Sequence, residues 1–254
     1  MTVAAVILAA STASAVADVE GVPRVRRLAD VAWSGGAVPI IVVAPDPSGD
    51  VKAALVGAPV TYVPPAADSA GPIGQILRGI EAAAAEVTDT DGFIVWPART
   101  QWLDAETITS LIEAHGQHPA MVLRPTYDGQ PGWPVLVPRA EVARLRGISA
   151  DHMPDAVIDE LLAAGAMEWR IDLGDPGSTH DGATARSELP PFLGPSGPAS
   201  GHHEWGAAVA GSAEEDHAFE GPALAPFGQA DESEDPAIEA EPDSLDDDLG
   251  RLEP

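Results

Sequence analysis

Runs of Val, Ile, Leu and Ala separated by polar turns fill the chain up to about Asp181. Residues 3–10 form an apolar run of about eight positions, the length of a buried strand. Over residues 25–34, Val25, Leu28, Val31 and Ala32 recur at helical spacing and predict an amphipathic helix. Residues 39–44 contain almost nothing polar, which suits a parallel strand covered on both faces. The pattern further predicts a short strand at 61–63, a helix at 74–86 with Ile76, Leu77, Ile80 and Ala84 on one side, and a strand at 92–96. A helix over 104–115 has a clear start: Asp104 offers a carboxylate to the free amides of the first turn, and Glu106 suits the positive end of the helix dipole. Strands at 119–125 and 133–138 flank a Gly-rich turn at 128–132. Helices at 139–145 and 154–164 and a last strand at 169–173 complete the series.

Strands alternating with helices at this spacing imply an α/β fold: a mostly parallel sheet with helices on both faces, three layers in the Rossmann-like manner. Ligands of such sheets bind beyond the carboxyl ends of the strands. The loops after Ala10, Trp96 and Pro125, and the segment after Leu173, are therefore where chemistry is expected.

Composition shifts past Asp181, where Pro, Gly, Ser, Glu and Asp dominate. Such a segment buries too little apolar surface to offset chain entropy, so the expectation is a folded domain over 1–184 and a disordered acidic tail over 185–254. A formal net charge of −27, with only 13 Lys plus Arg, argues against nucleic acid or an anionic membrane as partner, since both require clustered positive charge. Lys52 is the single lysine, although enzymes that handle triphosphates commonly use one as a mobile cation. The absence of cysteine removes disulfides, thiolate metal sites and a thiol nucleophile. Ala-Ser-Ala at 13–15 imitates a signal-peptide cleavage site, but no Lys or Arg precedes the apolar run. No segment reaches the roughly 18 to 20 apolar residues that span a bilayer. A cytoplasmic location is expected.

Three stretches carry a family resemblance. Residues 92–108 read GFIVWPARTQWLDAETI, residues 127–139 read YDGQPGWPVLVPR, and residues 6–10 read VILAA. Together they resemble the MobA-like nucleotidyltransferases, which include the guanylyl- and cytidylyltransferases of molybdenum-cofactor maturation. The likeness extends over about residues 3–184. It implies a nucleoside triphosphate such as CTP or GTP as donor, Mg²⁺ as metal, and a phosphate loop at Ala9, Ala10, Ser11 and Thr12. The 127–139 stretch is similar to the family's acceptor-side motif and implies Gly129, Gly132, Trp133 and Pro134 at the substrate.

The chain departs from the family pattern at the charged positions. The family's opening motif runs L-A-A-G-x-x-x-R-x-G-x-x-K, whereas this chain continues Leu8-Ala-Ala-Ser-Thr-Ala-Ser-Ala, with Ser11 in place of the first glycine and neither basic residue. Arg24, Arg26 and Arg27 follow just downstream. One of them, Arg24, is the nearest candidate to swing toward a phosphate, against the alternative that all three form a solvated helix face. The family's metal-binding aspartate falls on Arg99, which repels a cation but can pair bidentately with a phosphate. The alternative is a tolerated substitution after metal binding was lost. The second metal motif, roughly D-I-D-T-P, retains Asp181 but has Ala183 and Ala185 where the second aspartate and the proline belong. The resemblance thus leaves Asp181 as the metal ligand and, with Arg99, as the catalytic pair. A separate cluster of Asp172, Asp175 and His180 is an alternative cation site, set against an ordinary Asp-Pro-Gly turn.

In the tail, His202-His203-Glu204 has a metal-like look without a scaffold to hold it. Leu245, Leu249 and Leu252 fall at i, i+4 and i+7, an amphipathic turn within 243–252 suited to docking on a protein partner. Two functions follow: nucleotide binding and nucleotidyl transfer in molybdenum-cofactor maturation, or a catalytically inactive relative serving as a binding or assembly module.

Overall fold

The computed structural model describes residues 1–195. An eight-stranded sheet forms its middle layer. Its strands are β1 (Thr2–Leu8), β4 (Ile40–Val43), β5 (Thr61–Val63), β6 (Thr90–Pro97), β7 (Val122–Tyr127), β8 (Gln130–Pro131), β9 (Val135–Pro138) and β10 (Glu168–Asp172); β2 (Asp18–Val19) and β3 (Val22–Pro23) form a separate small hairpin. The order across the sheet is β10-β7-β9-β6-β1-β4-β5, with β8 paired to β7. Pairings among β1, β4, β5 and β6, and between β7 and β10, are parallel, while β9 runs antiparallel to both β6 and β7. The sheet is therefore mixed and mostly parallel, as the strand-helix alternation predicts.

Continuous apolar runs make strands here because both faces are covered. In β1, Val3, Ala5 and Ile7 pack in one core and Ala4 and Val6 in the other, and β4 and β6 alternate in the same way. On the first face lie α2 (Arg24–Ser34) and α5 (Ala105–Gln117), with the short α1 (Thr12–Val16) and α3 (Asp50–Ala54). The second face carries α4 (Gly71–Glu86), α6 (Val142–Leu145) and α7 (Pro154–Ala163). Gly79 lets α4 approach β1 closely: a Cβ there would lie 2.2 Å from Val6 Cγ1.

Several elements differ from the sequence expectation. The 11–18 stretch, expected as loop, contains α1, capped by the Ser11 hydroxyl accepting the Ser14 amide hydrogen at 3.1 Å. The β2–β3 hairpin turns through Glu20 and Gly21, both at positive φ, and α3 follows a left-handed Gly49. Neither element is long enough to show periodicity. Strand β1 ends at Leu8 rather than residue 10, and β7 starts at Val122 after a turn closed by Met121 N–H to His118 O. Strand β9 begins at Val135 rather than 133, since Pro134 has no amide hydrogen for the ladder.

The described chain runs on past residue 184. Trp102 Nε1 donates to Thr184 O at 2.9 Å, and Leu193 N donates to Gly174 O at 3.1 Å, tying the 185–194 segment to the sheet's carboxyl end. No described helix is long and apolar enough to cross a membrane. The acidic tail beyond residue 195, with His202, His203 and the 243–252 segment, lies outside the described residues.

Candidate active site

Parallel β1, β4 and β6 end together, and their loops open onto a cavity of about 440 Å³. Its walls come from Leu8, Ala9 and Ala10 after β1, Pro97, Ala98 and Arg99 after β6, Pro72 and Gln75 at the start of α4, and Met153 and Pro154 at the start of α7. The lining is largely apolar, and Ser14 and Gln75 contribute polar groups. Gln75 is committed to the loop before α4, its amide accepting from Ala66 N at 2.9 Å and donating to Ala66 O at 3.3 Å.

The predicted phosphate loop is only partly available. Ala9 and Ala10 line the cavity, with Ala9 N bonded to Val43 O at 3.0 Å. The hydroxyl of Ser11 accepts the Ser14 amide in the helix cap and keeps its own hydrogen to donate, whereas that of Thr12 donates to Pro45 O at 2.7 Å. Ser14, one turn on, reaches the cavity instead. Arg24 braces this loop from α2: its Nε donates to Gln101 Oε1 at 2.7 Å, and a terminal nitrogen donates to Ser14 O at 3.2 Å and Ser14 Oγ at 3.1 Å. Burial lowers its pKa, with the nearby Asp181 opposing, and a guanidinium so placed stays charged. Arg26 and Arg27 are used structurally, on Asp30 and Val56 O, and on Glu20 and Gln101 O respectively.

A second cavity of about 410 Å³ adjoins the first and is polar. Gly132, Trp133, Thr179, His180, Asp181 and Asp155 are among its walls. Arg99 lines both cavities. Its guanidinium donates to Asp155 Oδ2 at 2.8 Å and Oδ1 at 3.2 Å, and lies 5.7 Å from the centre of the Trp133 ring. Asp155 also accepts from Trp133 Nε1 at 2.7 Å. Behind Arg99, its backbone carbonyl accepts from Gly182 N at 2.8 Å, which sets the loop carrying Asp181.

The acceptor-side motif divides in two. Gly132 and Trp133 line the polar cavity, held by Gly132 N to Pro125 O at 2.8 Å, Trp133 N to Ser178 O at 2.8 Å, and the buried Arg124 donating to Gly132 O at 3.3 Å. A side chain at 132 would meet the Ser178 carbonyl at 2.4 Å, so glycine is required there. Gly129 instead shapes the hairpin between β7 and β8, with φ +72° and open space around it, and it does not line the cavity. Pro134 follows Trp133 as the entry to β9 and is likewise not a lining residue.

Carboxylates do not gather into a cation cage. Asp181 is exposed, one oxygen accepting from Ala183 N at 2.9 Å. Among the described residues no three His, Asp or Glu converge on a common point. The Asp172, Asp175 and His180 alternative is dismantled by its own hydrogen bonds. Asp172 accepts from Gly174 N, His180 Nδ1 contacts Pro176 O at 2.7 Å, and buried Asp175 accepts from Thr107 Oγ1 at 2.6 Å, Gly177 N at 2.8 Å and Asp104 N at 3.0 Å. The described residues thus form no all-protein cage; Mg²⁺ ordinarily takes one or two carboxylates together with waters and ligand phosphates, and Asp181 on the wall of the polar cavity would supply one.

Sheet order, paired cavities and loop positions meet in one sequence match: the family model for the MobA-like NTP transferase domain covers residues 5–165. The chain belongs to that family. Solved structures repeat the architecture. Rv0371c of Mycobacterium tuberculosis H37Rv, in complex with manganese, is 21% identical with a TM-score of 0.53, over 74% of this chain and 98% of that one. A nucleotidyl transferase from Methanothermobacter thermautotrophicus is 18% identical, TM-score 0.53, over 67% and 87%. A CMP:2-keto-3-deoxy-manno-octonic acid synthetase complexed with CTP is 14% identical, TM-score 0.52, over 70% and 94%. At these identities the likeness establishes the fold. No curated protein matches the chain.

Sequence reasoning missed Asp155, Met153 and Pro154, because α7 carries no motif and only the fold brings its first turn to the β6 loop. Gln101 was also missed. It is buried and joins Arg24 to the β6 loop, a role no local pattern signals.

Proposed function

We propose that the domain binds a nucleoside triphosphate, CTP or GTP, with the base in the apolar cavity and the phosphates at Arg99, and transfers the nucleotidyl group to an acceptor in the polar cavity. The observation that carries this reading is the position of Arg99 on the wall shared by the two cavities. In such a transfer an acceptor oxygen attacks the α-phosphorus, the bond to the β-phosphate breaks and pyrophosphate leaves. A guanidinium fixed at the crossing point offsets the charge that develops on the phosphate oxygens. The backbone at Ala9 and Ala10 faces the phosphates in this arrangement, Arg24 holds the Ser14 side of the loop, and Gly132, Trp133 and Asp181 face the acceptor. Family membership supports molybdenum-cofactor maturation as the setting. Mg²⁺ is the family's expected metal; Asp181 would hold it together with the ligand's phosphates, and bound there it would supply further positive charge.

Saturation-transfer NMR on the full chain tests the donor site. Transfer to the base protons of CTP or GTP is expected, with loss in Ala10→Trp, which fills the cavity from an exposed position. Equal transfer to the variant would place the nucleotide elsewhere. A second reading, a binding module without catalysis, draws on Arg99 and Ala183 standing where the family has carboxylates. Pyrophosphate release from bound nucleotide supports transfer, and binding without release under all acceptors supports the module.

A further inference from the structure

Asp155 is the residue that decides what Arg99 can do. Arg99 is the charged side chain common to the two cavities, yet one terminal nitrogen of its guanidinium is already held by both oxygens of the Asp155 carboxylate, the nearer at 2.8 Å. Both side chains remain open to solvent, 40% exposed for Arg99 and 56% for Asp155. Ion pairs so placed are weak, because water screens them and two flexible chains must be ordered to form them. A phosphate, carrying more charge than a carboxylate and offering a matching fork of oxygens, outcompetes it for a guanidinium.

The surroundings also provide for Asp155 once Arg99 has left. Trp133 Nε1 donates to its Oδ1 at 2.7 Å independently of Arg99. Asp155 further sits in the first turn of α7, a helix of 10 residues, where the dipole favours a carboxylate. Neither partner depends on the ion pair. Arg99 in turn lies near the Trp133 ring, which offers its cation a face during any movement.

We propose that Asp155 is a displaceable counter-ion: a phosphate of the ligand takes its place on Arg99, while the carboxylate stays behind on the Trp133 indole. The proposal rests on the nucleotide reading above and adds to it a residue that sets how strong an anion must be to enter. Because the anion meets a guanidinium rather than a carboxylate cage, its capture needs no divalent metal.

Inorganic pyrophosphate is the probe, titrated into the full chain with EDTA present and followed by calorimetry and tryptophan fluorescence. Binding is expected with an emission change that Trp133→Phe abolishes. Asp155→Asn retains the oxygen that accepts from Trp133 but removes the competing charge, and should tighten pyrophosphate roughly two- to fivefold. Arg99→Gln should weaken it about tenfold or more. Binding by Asp155→Asn that is unchanged or weaker than wild type overturns the proposal and makes Asp155 a positioning residue. Should CTP or GTP bind while neither substitution alters the affinity for pyrophosphate, the hand-over is wrong and the nucleotide reading stands. If neither nucleotide nor pyrophosphate binds to any variant, both fall.

Discussion

Asp175 shows how far a residue's role can depart from its local sequence. Asp-Pro-Gly reads as a turn, and with Asp172 and His180 it reads as a cation site. In the fold its carboxylate is buried and accepts three hydrogen bonds, one from the N-cap residue of α5 and one from its first turn. It therefore staples the loop that carries Asp181 to the helix that follows the β6 loop. Burial raises its pKa, and the bonds from Thr107, Asp104 and Gly177 work against that rise. Asp175→Ala leaves those donors without a partner and should cost about 2–4 kcal/mol, read from the urea midpoint. A loss below about 0.5 kcal/mol would mean the staple carries nothing. Asn at this position retains one accepting oxygen and should fall between the two.

His115 is the opposite case, a buried polar side chain with neither ring nitrogen hydrogen-bonded. Burial lowers its pKa below the ordinary histidine value, with Asp91 opposing. The folded state thus resists protonation that the unfolded chain accepts. Stability is unaffected by this group above about pH 6.5 and falls as pH drops below it. Each pH unit over which only the unfolded chain is protonated removes about 1.4 kcal/mol. Denaturant unfolding at pH 7.5 and 5.5 should show a larger loss for wild type than for His115→Phe. Equal losses would mean that His115 is protonated in the folded protein.

Elements were legible where their pattern was long. Strands β1, β4 and β6 announce themselves as unbroken apolar runs, and α4 and α5 as periodic ones, with Asp104 capping α5 as expected. α1, α3 and the β2–β3 hairpin were not legible, because five residues or fewer carry no periodicity. That gap matters for the site. Loop geometry gives Ser11 a cap to hold and commits the Thr12 hydroxyl to Pro45 O, and it places Gly129 in the β7–β8 hairpin. Packing between elements leaves a signature of its own at Gly79. Alanine there favours the helix by about 1 kcal/mol but drives a methyl into Val6, so Gly79→Ala should destabilise by about 1–2 kcal/mol net. A variant as stable as wild type, by thermal and urea unfolding, would show that α4 can lift from the sheet at no cost.

At the scale of the molecule, the sheet brings the β1, β6, β7 and β10 loops to one edge, and the sequence motifs fall on those loops. The family and the three-layer fold could therefore be read before the structure. The identity of the charged groups in the site could not. Asp155 lies 56 positions from Arg99 and reaches it only through the packing of α7, and Arg24 reaches Ser14 only because α2 starts against the β1 loop. What the fold assembles is two adjoining cavities with the Arg99 guanidinium on their shared wall. In the proposed function this guanidinium, and not a protein-held cation, receives the phosphates. Calorimetric titration of the full chain with CTP and GTP, in EDTA and in excess Mg²⁺, for wild type and Arg99→Gln, separates the two. Binding of one nucleotide that persists in EDTA and weakens about tenfold or more in Arg99→Gln is the predicted result; binding that appears only with Mg²⁺ and is indifferent to the substitution contradicts it.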